Sequence, residues 1–279
     1  MPSKKTADPE FIALKKEVYR KTSLDCEQFK DSYLRRRFAA RMRSRGVQQY
    51  ADYIALLGSD PAEAGELMRD ITINVTQFFR DAPVFKALEE EVVPLLIYRK
   101  VKEGRPIIKV WSAGCSSGEE PYSVAIILRD LLGEEYDKFS VSIVATDIDR
   151  ECLMSGQEGI YLPRQLMNVA PEHLRKYFVQ EGERHRVVPE IRDMVDFLEL
   201  DLFSGTAGTN FDLILCRNVA IYFTKEMQER LYMKFVRALG EGGYFVMGNT
   251  ENLVGDASRM LTTVRTRERI YQKAARERR

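Results

Sequence analysis

The feature that most constrains the fold is a glycine-containing loop that joins a strand to a helix. Residues 107–110 form an apolar run typical of a buried strand, and Pro121 suits the first turn of a helix that runs to about Leu132. Between them, Gly114 and Gly118 allow a positive φ or a close backbone approach, because glycine has no Cβ. Such a loop is either a tight structural turn or a ligand-cradling turn, and the rest of the chain favours the second.

A second apolar run, residues 141–146, ends in Asp147 and predicts the next strand of the same sheet. An acidic residue after the second strand of a βαβ unit is placed to accept hydrogen bonds from ribose hydroxyls, whereas Asp149 suits a helix N-cap. The loop lacks the GxGxxG pattern of pyrophosphate-binding turns. We therefore expect a ligand with a nucleoside but no phosphates, and S-adenosylmethionine is such a ligand.

Composition excludes several classes of protein. Of 279 residues, 43 are basic and 42 acidic, so the overall charge predicts no nucleic-acid partner. No apolar run approaches the roughly 20 residues that span a bilayer, and the polar start of the chain does not resemble a signal peptide, so we expect a cytoplasmic protein. Four scattered cysteines and two histidines indicate neither a disulfide framework nor a metal site.

The chain divides into a helical part and an α/β part. Residues 10–73 have apolar positions at helical spacing and predict three or four short helices. From residue 107, strands and helices alternate, which indicates a parallel sheet with flanking helices. We predict strands at 107–112, 141–146, 197–201, 211–216 and 243–247, with a closing hairpin near 262–273. The predicted domains are residues 1–75 and 76–279.

An insertion at about 160–196 is too long for a single crossover helix. Residues 171–178 predict a helix, and residues 186–188 and 194–196 predict short strands around a turn. We therefore expect a small β-subdomain here.

Five short motifs occur in an informative order: NVTQFFR at 74–80, WSAG at 111–114 with GEEPYS at 118–123, ATDID at 145–149, CRNVAIYF at 216–223 and GNTEN at 248–252. Together they closely resemble the CheR family of chemotaxis receptor methyltransferases, and the resemblance covers residues 10–273. It implies a Rossmann-like, S-adenosylmethionine-dependent methyltransferase sheet with an N-terminal all-helical domain. The inserted β-subdomain docks a receptor-tail peptide in some members, but its shorter loop here leads us to expect that no tail peptide is required.

The resemblance also implies a set of site residues. Tyr222 matches a tyrosine close to the departing methyl group, and Arg80 would orient the carboxylate of cofactor or substrate. The residues alone leave alternatives, since Tyr222 also suits an aromatic core and Glu119 and Glu120 also suit the positive end of a helix dipole. Which of these two glutamates contacts the cofactor stays open. The expected cofactor-binding residues are Asn74, Thr76, Arg80, Gly114, Glu119, Glu120, Asp147, Asp201, Leu202, Arg217 and Asn218, and the expected catalytic residues are Arg80 and Tyr222.

Residues 30–45 contain seven basic residues and one acidic residue. This basic cluster can be interpreted as a solvated helix face or as a nucleic-acid-binding surface. No interleaved aromatic residues and no base-reading motif accompany the cluster, which argues against the nucleic-acid surface. The resemblance implies a surface that grips the acidic methylation helices of chemoreceptors. The expected docking residues are Arg35, Arg36, Arg37, Arg41 and Arg43.

The implied reaction is methyl transfer from S-adenosylmethionine to a glutamate oxygen by direct in-line displacement without a metal. The product is a glutamate methyl ester, with S-adenosylhomocysteine as by-product. Two alternatives are a methyltransferase with another substrate and a non-catalytic regulator that binds S-adenosylmethionine or a receptor. We expect a protein recruited to membrane receptor arrays, and a monomer because no exposed apolar stripe stands out in the sequence.

Overall fold

A computed structural model describes residues 8–274, which form two compact units. The helical unit is the described part of Met1–Ile73 together with Tyr222–Met227, and the sheet unit is Asn74–Ile221 with the described part of Gln228–Arg279. The polar start considered above, residues 1–7, lies outside the described residues, as do residues 275–279. Within the described range, no helix has both the length and the apolar character needed to cross a membrane.

The described part of the helical unit contains four α-helices around an aromatic core. They are α1 (Pro9–Thr22), α2 (Asp31–Ser44), α3 (Tyr50–Ser59) and α4 (Glu63–Ile71). Helix α1 begins where the Asp8 carboxylate accepts a hydrogen bond from the amide of Phe11, and it ends at Ser23 in the left-handed region. Phe11 and Phe38 are both fully buried and meet at 5.9 Å between ring centroids. The sequence prediction of a helical N-terminal part is confirmed.

The sheet unit carries the remaining elements. Its helices are α5 (Ala82–Ala87), α6 (Val93–Lys102), α7 (Glu119–Leu132), α8 (Arg150–Glu158), α9 (Pro171–Tyr177), α10 (Pro189–Arg192), α11 (Lys225–Ala238, which starts in the helical unit) and α12 (Ala257–Met260). Its strands are β1 (Ile107–Ala113), β2 (Ser140–Asp147), β3 (Ile160–Tyr161), β4 (Phe178–Glu181), β5 (Arg184–Val187), β6 (Val195–Glu199), β7 (Phe211–Cys216), β8 (Leu239–Met247), β9 (Leu261–Arg265) and β10 (Ile270–Lys273).

The main sheet has the strand order β6-β2-β1-β7-β8-β10-β9. Its first five strands are parallel, and β10 pairs antiparallel with both β8 and β9. The register aligns Ala113 with Thr146, so β1 and β2 end together. Every residue of β7 is buried, as expected for a parallel strand covered on both faces. The predicted Rossmann-like sheet is confirmed, and the carboxyl ends of β1, β2, β6 and β7 share one edge.

The insertion is a small antiparallel sheet with the order β3-β5-β4, and helix α9 confirms the helix predicted at 171–178. Of the strand predicted at 194–196, Val195 and Asp196 are indeed in a strand, but its assignment to the insertion is wrong, because Val195 pairs with Ile143 and begins β6 of the main sheet. For the same reason the strand predicted at 197–201 begins two residues earlier, at Val195, and ends at Glu199. Short apolar runs do not reveal which sheet they join, because strand choice depends on partners distant in sequence.

The expectation of a monomer rested on the lack of an exposed apolar stripe, and that premise is wrong. Leu95, Tyr98 and Val101 follow one another at intervals of three along α6, with exposed fractions of 56%, 65% and 62%. The stripe cannot be recognised from the sequence, because α6 also carries apolar residues that are buried on its opposite face. The oligomeric state therefore stays a prediction without that support.

Candidate active site

Asp147 ends β2 and ties two loops together at the carboxyl edge of the sheet. One of its carboxylate oxygens accepts a hydrogen bond from the Ser116 amide at 2.8 Å, and the other accepts from the Asp149 amide at 3.0 Å. Burial raises the pKa of Asp147, although these amide donors oppose the shift. Asp149 caps α8 through the Cys152 amide at 3.1 Å, which confirms its predicted N-cap role.

The loop after β1 needs glycine at two positions. Gly114 has a φ of +79°, and a Cβ there would overlap the side chain of Val219. Gly118 has a φ of +91°, and a Cβ there would lie 2.8 Å from the ring of Phe197. Both positions combine a left-handed conformation with a close approach, so the packing of the loop explains the glycines that the sequence singled out.

Glu119 and Glu120 begin α7 but face different partners. Glu119 is fully buried and accepts hydrogen bonds from Ser117 at 2.8 Å and Gln165 at 2.6 Å. Glu120 accepts from the Ser112 hydroxyl at 2.8 Å and lies 3.2 Å from the Arg217 guanidinium. Burial raises the pKa of both carboxyls. Glu120 is therefore the one that joins a charged cluster at the sheet edge.

Arg217, directly after β7, is the centre of that cluster. Its side chain is 2% exposed, and one guanidinium nitrogen donates to the Asp81 carboxylate at 2.6 Å and to the Arg80 carbonyl at 2.8 Å. A second nitrogen donates to Glu120 at 3.2 Å. The sequence predicted that Arg217 binds the cofactor, but these contacts tie it to the protein. We therefore interpret Arg217 as a residue that holds the segment around Arg80.

The segment around Arg80 has an unusual backbone. Phe79 and Asp81 have φ values of 51° and 61°, in the left-handed region that a bulky residue such as Phe rarely adopts. The Phe79 amide is held by the Ser123 hydroxyl at 2.9 Å, and the Arg80 guanidinium donates to the Val75 carbonyl at 2.7 Å. Sequence reasoning missed the roles of Phe79 and Asp81, because nothing in the motif reports a backbone conformation.

Asn74 and Thr76, two further polar residues of that motif, also lie in the sheet unit. The Asn74 amide donates to the Asp149 carboxylate at 2.7 Å, and the Asn74 carbonyl accepts a weak hydrogen bond from Ser116 at 3.4 Å. Thr76 is half-buried. Asn74 is thereby brought to the loops that also hold Asp147.

Glu251 organises the loop after β7 and was not predicted as a site residue. Its buried carboxylate accepts from the amides of Asn218 at 3.2 Å, Val219 at 3.1 Å, Ala220 at 2.9 Å and Gly248 at 2.6 Å. Burial raises the pKa of Glu251 despite these donors. The signal that could have found it was its place in the GNTEN motif.

Asp201 and Leu202 follow β6 at the same edge. An Asp201 carboxylate oxygen accepts from the Phe203 amide at 2.8 Å, and the Leu202 carbonyl accepts from the Lys234 ammonium at 2.6 Å. The amide of Leu200 donates to the Asp147 carbonyl at 2.9 Å, which places this turn beside the end of β2. Asp201 and Leu202, which are expected to bind the cofactor, and Asp147, the expected ribose acceptor, therefore lie at neighbouring strand ends.

Tyr222 and the predicted docking arginines belong to the helical unit. Arg36 and Arg43 are exposed, Arg35 is paired with Asp8 at 2.8 Å, and Arg37 is half-buried. Arg41 does not fit the docking prediction, because its side chain is 12% exposed and lies 2.7 Å from the fully buried carboxylate of Glu63. The excess of basic residues in 30–45 indicated a basic surface but could not show that Glu63 of α4 covers part of it.

The edge of the sheet suits a nucleoside-type ligand with an amino-acid group. Carboxylates can accept from ribose hydroxyls and from an ammonium group. The side-chain oxygen of Asn218 is buried and has no hydrogen-bond partner among residues 8–274, so a ligand donor would satisfy it. Residues 8–274 contain no group of three or more His, Cys, Asp or Glu side chains that could hold a metal ion.

Comparison with known proteins gives two family matches and many relatives. Residues 9–72 match the family described as "CheR methyltransferase, all-alpha domain", and residues 74–270 match "CheR methyltransferase, SAM binding domain". The chain is 33% identical over 258 residues to a chemotaxis protein methyltransferase of Listeria innocua, covering 92% of this chain and 95% of that one. It is 33% identical over 255 residues to the Escherichia coli chemotaxis protein methyltransferase, covering 88% and 85%. It is also 34% identical over 262 residues to chemotaxis protein methyltransferase 2 of Pseudomonas aeruginosa, covering 91% and 90%.

Proposed function

This chain belongs to the CheR methyltransferase family, and on that premise we propose that it methylates glutamate side chains of chemoreceptors for sensory adaptation. The methyl donor is S-adenosylmethionine, and the products are glutamate methyl esters and S-adenosylhomocysteine. The observation that carries the proposal is that Arg217 ties Glu120 to the Arg80 segment at the carboxyl edge of the sheet, where Asp147 also ends β2, all within the region matched as a SAM-binding domain.

The substrate needs little activation. S-adenosylmethionine, when bound, supplies a methyl group on a positively charged sulfur. A glutamate with an ordinary pKa of about 4.3 is ionised at neutral pH, so no general base is required. The protein must align the carboxylate oxygen at about 3 to 3.5 Å from the methyl carbon and exclude water. We assign this orientation to Arg80 and Tyr222, without a metal ion.

We assign cofactor binding to the strand ends. Asp147 would accept from the ribose hydroxyls, and the turn at Asp201 and Leu202 would flank the adenine. Both carboxylates already accept hydrogen bonds at each oxygen, but the Glu120 side chain is 12% exposed whereas Glu119 is fully buried, so Glu120 suits the ammonium group better. The buried side-chain oxygen of Asn218 would accept a hydrogen bond from the cofactor. The expected set is completed by Asn74, Thr76, Arg80 and Gly114, with Arg217 acting through the backbone of Arg80.

The helical domain is proposed to dock the receptor. Arg36 and Arg43 are exposed on α2, with Arg35 and Arg37 beside them, and they would attract the acidic methylation helices of a chemoreceptor. On this proposal residues 1–75 dock the substrate and residues 76–279 carry out the transfer. A monomer acting in the cytoplasm at receptor arrays, with no tail peptide required, completes the proposal.

The activity test uses purified protein, tritiated S-adenosylmethionine and cytoplasmic receptor fragments, followed by alkaline release of volatile methanol. We expect base-labile label on the receptor fragments, equally with and without their tail residues. Arg80→Ala and Tyr222→Phe should each lower the rate, and full activity in both would refute their assignment. Base-stable label would favour another substrate, and cofactor binding without transfer to any receptor would favour a regulator.

The docking test compares two double charge reversals of equal net charge. Arg36→Glu with Arg43→Glu should raise the KM for the receptor fragment at least tenfold at low salt with little change in kcat. The control, Lys102→Glu with Arg105→Glu, reverses two exposed basic residues of the sheet unit. Equal effects of both pairs would show that net charge, and not the surface of α2, governs the encounter.

A further inference from the structure

Tyr222 is fixed through its main chain to the turn before α2. The Lys30 amide donates to the Tyr222 carbonyl at 3.0 Å, and the Thr224 amide donates to the Gln28 carbonyl at 2.9 Å. Between them, Phe29 and Phe223 form an antiparallel bridge with ring centroids 5.1 Å apart. The segment that carries the proposed catalytic tyrosine is therefore held by a short antiparallel pairing inside the helical unit.

The side chain of Tyr222 packs against Tyr33 of α2. The two ring centroids are 4.6 Å apart with an interplanar angle of 31°, and Tyr33 is only 5% exposed. The Tyr33 hydroxyl donates to the Ile71 carbonyl at the end of α4, and its ring stacks on Phe29 at 6.0 Å. Burial raises the pKa of Tyr33 to about 12, so its hydroxyl stays a donor at physiological pH. Tyr33 is thus a rigid support for one face of the Tyr222 ring.

We propose that Tyr33 is a positioning residue that sets the orientation of the Tyr222 ring for methyl transfer. The proposal rests on the function assigned to Tyr222 above. It goes further because it gives the helical domain a part in turnover as well as in docking. Tyr33 belongs to the proposed docking helix α2, and the guanidinium carbons of Arg36 and Arg37 lie 5.8 and 5.4 Å from its ring centroid, so two of the proposed docking arginines contact the ring that supports Tyr222.

The test compares Tyr33→Leu, which removes the ring, with Tyr33→Phe, which keeps it. Phe38→Leu is the matched control, because Phe38 is fully buried on the same helix and packs against Phe11. We expect Tyr33→Leu to lower kcat at least tenfold, with the KM for receptor and the Kd for S-adenosylmethionine within twofold of wild type. Tyr33→Phe and Phe38→Leu should keep kcat within about twofold, at temperatures set equally far below each variant's Tm.

Hydrogen exchange of the Thr224 amide gives a readout independent of activity. Since this amide donates to Gln28, loss of the Tyr33 ring should speed its exchange at least tenfold, and Phe38→Leu should not. If Tyr33→Leu does not fold, Tyr33→Met serves in its place with the same expectations.

Equal kcat losses in Tyr33→Leu and Phe38→Leu, or a change in KM alone, would overturn the proposal. Unchanged exchange at Thr224 would do so as well. If wild-type protein methylates no receptor, the proposed function fails, whereas the exchange experiment still decides whether Tyr33 holds the Tyr222 segment.

Discussion

Replacing Arg217 by Met tests whether this guanidinium holds the Arg80 segment. The substitution removes the hydrogen bonds to Asp81, Glu120 and the Arg80 carbonyl and keeps an unbranched apolar chain that reaches about as far as the Arg217 Nε atom. It also leaves the carboxylate of Glu120, only 12% exposed, without its cation. Asp81 is affected less, because its side chain is 31% exposed and water can replace part of the lost interaction.

Removing one partner of a buried ion pair costs about 3 to 5 kcal/mol, and the partial exposure of Asp81 places our expectation at the lower end, about 3 kcal/mol.

The loss should depend on pH. Burial raises the pKa of Glu120, and Arg217 is the main influence that opposes this shift. Without Arg217 the pKa rises further. A carboxyl with a raised folded-state pKa destabilises the fold as the pH rises above its unfolded-state pKa of about 4.3, so the variant should lose less stability at about pH 4 than at about pH 8.

The assay is equilibrium urea unfolding at both pH values, combined with calorimetric binding of S-adenosylmethionine. Arg217→Lys should retain part of the stability, because an ammonium group keeps one ion pair but not the forked geometry. Arg217→Met with Glu120→Gln should recover part of the loss, because no charge is then stranded. A loss below 1 kcal/mol in Arg217→Met, or a loss equal at both pH values, would refute the reasoning.

Three further substitutions test the neighbouring loops. Gly114→Ala should lower the free energy of unfolding by about 2 to 4 kcal/mol, because of backbone strain and overlap with Val219. A second substitution, Val219→Ala, should relieve the overlap and recover that part of the loss, as measured by urea unfolding. Glu251→Gln should lower the free energy of unfolding by about 2 to 4 kcal/mol, because a side-chain amide cannot accept all the hydrogen bonds that the backbone amides donate to the carboxylate. An unchanged Tm would contradict this. Lys234→Met removes the donor to the Leu202 carbonyl and should weaken S-adenosylmethionine binding several-fold, with Lys234→Arg closer to wild type; equal Kd values in all three proteins would exclude a role for this contact.

Much of the sheet edge could be predicted because parallel strands put their carboxyl ends together. Asp147 and the Gly114 loop follow consecutive strands of the chain, so local patterns were enough to place them side by side. The capping role of Asp149 followed from its position before a helix. These predictions needed only the spacing of apolar residues in each helix or strand and the order of these elements along the chain.

The remaining features depend on contacts between distant segments. The family resemblance implies that Arg217 binds the cofactor, which stays a prediction, but its ion pair with Asp81 could not be predicted because Asp81 lies in another part of the chain. The burial of Arg41 required knowing that Glu63 of α4 approaches α2. The support that Tyr33 gives to Tyr222 is likewise invisible to any periodicity. Charge and spacing identify candidate residues, but only the fold decides which of them face a ligand.

The grouping of Tyr222–Met227 with the helices also affects how such proteins can be recombined. The two family descriptions divide the chain near residue 73, which suggests modules that could be exchanged between relatives. A chimaera that inherits only residues 9–72 from another lineage would set a foreign Phe29 and Tyr33 against the resident Phe223 and Tyr222. The helical unit therefore consists of two separate stretches of sequence, and an exchange of this unit between relatives has to carry both.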